Sequence, residues 1–109
     1  MDPNACLQLI EEALKDGKNP YQNRVDLLEW LDKGGFEPDW IKFPLAFAFC
    51  AGRGRVPQNV RAFHPKRFGV VNSGVLVGGS AKEGLRIDFG SLLGGKFWVP
   101  FKDLVMVDR

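Results

Sequence analysis

The segment "KFWVPFKDLVMV", residues 96–107, decides how the C-terminal part of this chain folds. Phe97 and Val99 alternate with Trp98 and Pro100, which is the period-two spacing of a β-strand with one apolar face. The letters "KDL" then make a one-turn step, and "VMV" forms a last short strand. The segment therefore predicts two strands joined by a tight turn, with Trp98 and Pro100 exposed on one side.

The residues before this segment indicate more short strands, separated by turns that contain glycine. In "LRIDFG", the side chains of Leu85, Ile87 and Phe89 fall on one face. The stretches "RFGVV" and "VLVGG" flank "NSG", whose asparagine and glycine suit a tight hairpin. A five-stranded antiparallel structure is therefore expected in residues 68–109.

The order of strand "FWVPF", step "KDL" and strand "VMV" resembles the end of small SH3-like β-barrels of the Tudor and KOW type. The resemblance covers residues 68–109 and implies a small, partly closed barrel there. Barrels of this kind bind nucleic acid, peptide motifs or only a neighbouring domain, so the resemblance does not select a function.

The N-terminal third predicts two short antiparallel helices. Apolar residues recur every three to four positions and predict a helix over residues 4–16, with Asp2 or Asn4 as its cap. A second apolar stripe ends at Gly34, and Asn23 is its expected cap. Helices of three turns are marginal alone in water, so this pair is expected to pack on the rest of the chain.

Between the helices and the barrel, large side chains alternate with smaller or polar ones. The large ones are Phe43, Leu45, Phe47 and Phe49. This spacing favours a strand, and a short buried helix is the alternative.

Positive charge is concentrated in "CAGRGRVPQNVRAFHPKR", residues 50–67. The chain has a net charge of +2, and this segment holds five Lys or Arg side chains, the only histidine and no acid. Local unopposed charge attracts phosphates more than total charge does. The alternative is that acidic side chains of the two helices neutralise the segment, which would leave a solvated connector.

The basic segment is the candidate nucleic-acid-binding site. Guanidinium and ammonium groups on a loop can reach phosphates, and an exposed aromatic ring beside them stacks on unpaired bases. The residues expected to bind are Arg53, Arg55, Arg61, Phe63, His64, Lys66 and Arg67. A separate candidate for protein interaction is the exposed pair Trp98 and Pro100, unless the second helix covers it.

Signals for catalysis, a metal or a cofactor are weak in this sequence. His64 has no partner at metal-ligand spacing, and "AGRGR" lacks the pattern of a phosphate-binding loop. Cys50 ends an apolar run, where a cysteine usually packs as an inert hydrophobe. We therefore expect no metal, no small-molecule cofactor and no catalytic residue, and a thiolate pair of Cys50 with His64 is the enzyme alternative.

The totals fit one soluble domain, since the chain has 109 residues of which 45% are hydrophobic. Two cysteines, no signal-peptide pattern and no apolar run of about 20 residues indicate a cytoplasmic location without membrane contact. The expected parts are a helical hairpin (1–35), a connector with one strand and a basic loop (36–67) and a small barrel (68–109).

The sequence thus predicts an α+β fold in which an N-terminal helical hairpin packs on a C-terminal antiparallel SH3-like barrel. The expected function is a non-catalytic binding module that contacts nucleic-acid phosphates through the basic loop. The alternative is a protein-interaction adaptor or inhibitor, of the kind encoded by phages or mobile elements, or a homo-oligomer, using the apolar barrel face around Trp98.

Overall fold

Helices come first along the chain and strands follow, so the predicted α+β class is confirmed. A computed structural model describes residues 1–107. Within them the helices are α1 (Pro3–Lys15), α2 (Tyr21–Asp32) and α3 (Pro44–Cys50). The strands are β1 (Asn59–Phe63), β2 (Val71–Ser80), β3 (Gly84–Asp88), β4 (Lys96–Val99) and β5 (Leu104–Val107). Short 3₁₀ turns lie at Trp40–Lys42, Ser91–Leu93 and Phe101–Asp103.

The first helix has one of the two caps that the sequence predicts. Asp2 Oδ1 accepts hydrogen bonds from the N–H groups of Asn4 at 3.0 Å and Ala5 at 3.4 Å, and so satisfies donors of the first turn. The expectation that Asn23 caps α2 is wrong, because Pro20 occupies the cap position and the helix begins at Tyr21. The restricted φ of proline starts the helix three residues earlier than an Asn23 cap would.

Residues 44–50 form a helix, so the strand expected there is wrong and the buried-helix alternative is correct. Pro44 lies in its first turn, where a missing N–H is harmless. The buried residues of α3 are Leu45, Ala46, Phe47 and Cys50. Because α3 lies between α1 and β2, it is covered on more than one side, and the apolar pattern of such a helix does not reveal its period.

The five strands form one antiparallel sheet in the order β4-β3-β2-β1-β5. β2 is a single strand of ten residues, so the hairpin expected at "NSG" is wrong. Gly74 lies on the core side of the sheet, where a Cβ would come 2.5 Å from Ile87 Cγ2. It therefore serves close packing, and the turn before β2 is made by residues 64–70, in which Gly69 has φ of +73°.

The basic segment contains a strand that the sequence analysis did not predict. β1 pairs with both β2 and β5, with Val60 and Ala62 buried and the three residues around them exposed. Residues 59–63 are therefore not part of a loop. The alternation is visible in the sequence, but it is only five residues long and begins with an asparagine, which strands disfavour.

One hydrophobic core joins the helices to the sheet. Its fully buried side chains include Leu7, Ile10, Leu27, Phe47, Val60, Leu76, Leu85, Ile87 and Val99. None of the helices in residues 1–107 is long and apolar enough to cross a membrane. The sheet has β4 and β5 at its two ends, and closure into an SH3-like barrel stays a prediction, as does the division into parts.

Candidate functional site

The solvent side of the sheet gathers cationic and aromatic side chains. On β1, Arg61 and Phe63 are exposed between buried neighbours. Arg61 pairs with Met106 of β5 at one edge of the sheet. At the other edge, Arg86 pairs with Trp98 of β4. Directly opposed residues point to the same face of an antiparallel sheet. We call these five residues the outer sheet face.

The turn that follows β1 extends this surface with more charge and a fully exposed ring. Lys66, Arg67 and Phe68 are all exposed, and 97% of Phe68 is accessible to solvent. Backbone hydrogen bonds close the turn, from Arg67 N–H to the His64 carbonyl and from Val70 N–H to the Arg67 carbonyl, both at 3.2 Å. The protruding phenyl group therefore stands on an ordered backbone between two cations and β2.

His64 lies under this turn and not on its surface. Only 4% of the residue is exposed, so the expectation that its ring stacks on a base is wrong. Its Nδ1 accepts from the Lys66 N–H at 3.0 Å, and its Nε2 lies 2.8 Å from the Leu93 carbonyl oxygen, to which it donates. These partners assign the neutral Nε2–H tautomer.

Two phenylalanine rings enclose the His64 imidazole. The centroids of Phe89 and Phe97 lie 4.7 Å and 4.8 Å from it. The imidazole thus combines an apolar environment with two satisfied nitrogen atoms, as a buried polar group requires. Its role is to fix the turn that carries Lys66.

The five cations of the basic segment fall into two groups. Arg53 and Arg55 precede β1, whereas Lys66 and Arg67 follow it, and Arg61 lies on the strand itself. A five-residue strand, about 17 Å long, lies between the two groups along the chain. Of these five cations, the ones that lie next to an exposed phenylalanine along the chain are those at the C-terminal end of β1.

Arg55 forms one ion pair of the kind expected under the alternative, in which helix acids neutralise the basic segment. Its Nε lies 3.6 Å from Asp32 Oδ1 at the end of α2, and both side chains are exposed. An exposed ion pair of this kind contributes between zero and about 1 kcal/mol. Arg53 lines a cavity together with Arg24.

Trp98 and Pro100 are both exposed, in agreement with the alternation of "KFWVPF". Trp98 is 39% accessible, and the Arg86 guanidinium carbon lies 5.7 Å from the centroid of its ring. Val99, between them, is buried. This end of the outer sheet face therefore offers an aromatic surface with a cation against it.

Cys50 and His64 are not brought together. The Cys50 thiol is fully buried, and burial raises its pKa to about 12, although the guanidinium of Arg24 opposes the shift. Both ring nitrogens of His64 are engaged by backbone groups instead. Among residues 1–107 no cluster of three His, Cys, Asp or Glu side chains could hold a metal ion.

The two most exposed large apolar side chains among residues 1–107 are Phe68 and Leu92, and neither is a site residue predicted from the sequence. Leu92 is 95% exposed in the 3₁₀ turn Ser91–Leu93, next to the residue whose carbonyl binds His64. The signal for Phe68 was its position between Arg67 and Gly69, which is typical of a turn and not of a strand start.

Comparison with known proteins identifies no relative of this chain. The chain matches no protein-family model, no curated protein and no solved structure.

Proposed function

We propose that this protein is a non-catalytic module that binds single-stranded nucleic acid. The surface is formed by Arg61, Phe63, Lys66, Arg67 and Phe68, which we call the turn surface. The observation that carries the proposal is that Phe68 is 97% exposed beside two cations on an ordered turn. An apolar ring in water is unfavourable, and a stacking partner removes that surface from water.

The two kinds of side chain would act on different parts of the ligand. Arg61, Lys66 and Arg67 would neutralise phosphates and release counterions, which is sequence-independent. Phe63 and Phe68 would stack on bases, each base adding about 1 to 3 kcal/mol. The proposal leaves out Arg53 and Arg55, because they lie before β1, and His64, because it is buried.

The test is fluorescence anisotropy of a labelled single-stranded oligonucleotide, titrated with protein at several salt concentrations. Three phosphate contacts predict a slope of log K against log salt of about −2. Lys66→Ala or Arg67→Ala should each make the slope less steep by about 0.7. Lys82→Ala is the control, because Lys82 is exposed beyond the far end of β2 and should leave the slope unchanged.

Stacking is tested separately from charge. Phe68→Ala should weaken binding roughly fivefold to 150-fold at every salt concentration, with the slope retained. Phe68→Tyr keeps the ring and should bind as the wild type does, whereas Phe68→Leu keeps only apolar area. Absence of oligonucleotide binding, or equal effects of Lys66→Ala and Lys82→Ala, would refute the proposal.

A second candidate is a protein-interaction adaptor that uses Trp98 and Pro100. It is favoured by the exposed Trp98 ring with the Arg86 guanidinium against it, since tryptophan and arginine are common at the centres of interfaces. Binding of this kind, to a second copy or to another protein, should depend on Trp98→Ala and respond weakly to salt. An SH3-like barrel and a reducing, cytoplasmic location, which suits the free thiols Cys6 and Cys50, are compatible with either candidate.

A further inference from the structure

A cavity of about 500 Å³ lies where the helices meet the end of β2. Leu14 of α1, Arg24 of α2, Leu45 of α3 and Ser80 of β2 all line it, so it is built by residues far apart in sequence. Its volume is in the range of about 300 to 1,000 Å³ that is usual for small-molecule sites. The turn surface proposed above contributes nothing to it.

Two arginines give the cavity its charge. Arg24 is half-buried; its Nη1 donates to the Phe49 carbonyl at 3.2 Å, and its guanidinium carbon lies 4.2 Å from the centroid of the Phe49 ring. Arg53, which is exposed, also lines the cavity. None of the described residues that line it is acidic. Two guanidinium groups facing one space without a carboxylate favour an anionic occupant.

The remaining wall is mostly apolar and closely fitted. Leu14, Leu45 and Phe49 provide apolar surface. Gly79 lets β2 approach α3, because a Cβ there would come 3.0 Å from Ala48 Cβ. Ser80 Oγ accepts from the N–H groups of Lys82 at 3.2 Å and Glu83 at 3.4 Å, which orients its hydroxyl proton away from the turn.

We propose that this cavity binds a small amphipathic organic anion. One phosphate, sulfonate or carboxylate group is bound between Arg24 and Arg53, and the apolar part of the molecule lies against Leu14, Leu45 and Phe49. The stacking of Arg24 on Phe49 and its hydrogen bond fix the plane of its guanidinium. Arg53 completes the anion site from the exposed rim.

The probe is 8-anilinonaphthalene-1-sulfonate, which joins an aromatic body to one sulfonate. Its fluorescence and a calorimetric titration should give one site per chain. Arg53→Ala should raise Kd about tenfold, the loss of one charge-assisted hydrogen bond. Arg55→Ala is the matched control, because Arg55 is exposed two residues away and does not line this cavity; its Kd should stay within about twofold of wild type.

A neutral analogue separates charge from apolar binding. N-phenyl-1-naphthylamine has the same rings without the sulfonate, so Arg53→Ala should leave its binding unchanged. Ala81→Phe should fill the cavity mouth and abolish binding of both dyes, while the near-ultraviolet circular dichroism and Tm stay those of the native protein. Ala81 is exposed, so this variant is expected to fold.

Three results would overturn the proposal. They are no binding of the sulfonate by the native protein up to about 1 mM, equal weakening by Arg53→Ala and Arg55→Ala, and unchanged binding in Ala81→Phe. Oligonucleotide binding should be unaffected by Ala81→Phe, so failure here and failure of the proposed function are distinguishable.

Discussion

Glu11 Oε1 accepts a hydrogen bond from the backbone N–H of Ala46 at 2.8 Å, so a carboxyl group of α1 caps the first turn of α3. α3 has no side-chain cap of its own, since Phe43 occupies that position. Both Glu11 and Ala46 are buried. The contact therefore satisfies a donor that the helix leaves free and ties α3 to α1.

The first prediction concerns the pH dependence of this contact. Burial raises the pKa of Glu11 above its ordinary value of 4.5, although the Ala46 N–H and the Lys15 ammonium oppose the shift. The folded protein thus holds the proton more tightly than the unfolded chain does. The contribution of Glu11 to stability is therefore present below pH 4.5, is lost as pH rises through the folded pKa, and is level above it.

Glu11→Gln should remove this dependence of stability on pH, and its side-chain oxygen still accepts the hydrogen bond from the Ala46 N–H. Urea unfolding between about pH 4 and about pH 8 measures the free energy of unfolding of both proteins. The free energy of unfolding of the wild type, minus that of Glu11→Gln, should fall as pH rises from 4.5 through the folded pKa of Glu11 and then stay constant. Glu12→Gln, at an exposed neighbour, should run parallel to wild type; a parallel Glu11→Gln curve would count against a raised pKa.

A second prediction tests His64 as a positioning residue. His64→Phe keeps a ring between Phe89 and Phe97 but removes both hydrogen bonds, so the free energy of unfolding should fall by about 1 to 3 kcal/mol. Hydrogen exchange of the Lys66 amide should become faster than that of the other amides. A general loss of packing would not affect this one amide selectively. Arg67→Ala, in the same turn but exposed, should change stability by less than about 0.5 kcal/mol. Unchanged protection of the Lys66 amide in His64→Phe would contradict this role.

A third prediction separates two glycines that both have positive φ. Gly84 has φ of +102°, and a Cβ there would collide with the Val99 carbonyl oxygen. Gly17 has φ of +72° and open space around it. Gly84→Ala should therefore destabilise by about 2 to 4 kcal/mol and Gly17→Ala by about 1 to 2 kcal/mol. Thermal unfolding measures both, and equal losses would show that β3 can move away from Val99.

A fourth prediction concerns the thiols. Burial raises the pKa of Cys50 to about 12, and burial also raises that of Cys6, which is only half-buried. At about pH 8.5, iodoacetamide should label Cys6 at least about tenfold faster than Cys50 in the native protein. Mass spectrometry of digested samples gives both rates, and the same reaction in urea is the control. A nucleophilic cysteine would react first, so rapid labelling of Cys50 would revive the enzyme alternative.

Local sequence signals predicted the ends of the fold well. Asp2 caps α1 because the cap is encoded within a few residues, and the alternation around Trp98 depends only on the pleat of one strand. The prediction for the middle of the chain was wrong because the structure there depends on contacts between distant parts of the sequence. Residues 44–50 are covered by α1 and the sheet, so their apolar pattern reflects their surroundings and not their own period.

In the candidate site, too, local spacing predicted some features, whereas others depend on residues far apart in the sequence. The shared exposure of Arg61 and Phe63 follows from their spacing in β1, whereas the burial of His64 depends on Phe89 and Phe97, which come from a later part of the chain. The cavity between Arg24 and Arg53 joins three helices to a strand, and no spacing in the sequence encodes it.

One imidazole links two neighbouring loops. Because His64 is hydrogen-bonded to Lys66 at one nitrogen and to Leu93 at the other, the tips that carry Phe68 and Leu92 cannot drift apart without breaking a bond. A ligand that immobilises one of these loops should therefore also reduce the motion of the other, and we expect the two loops to move together.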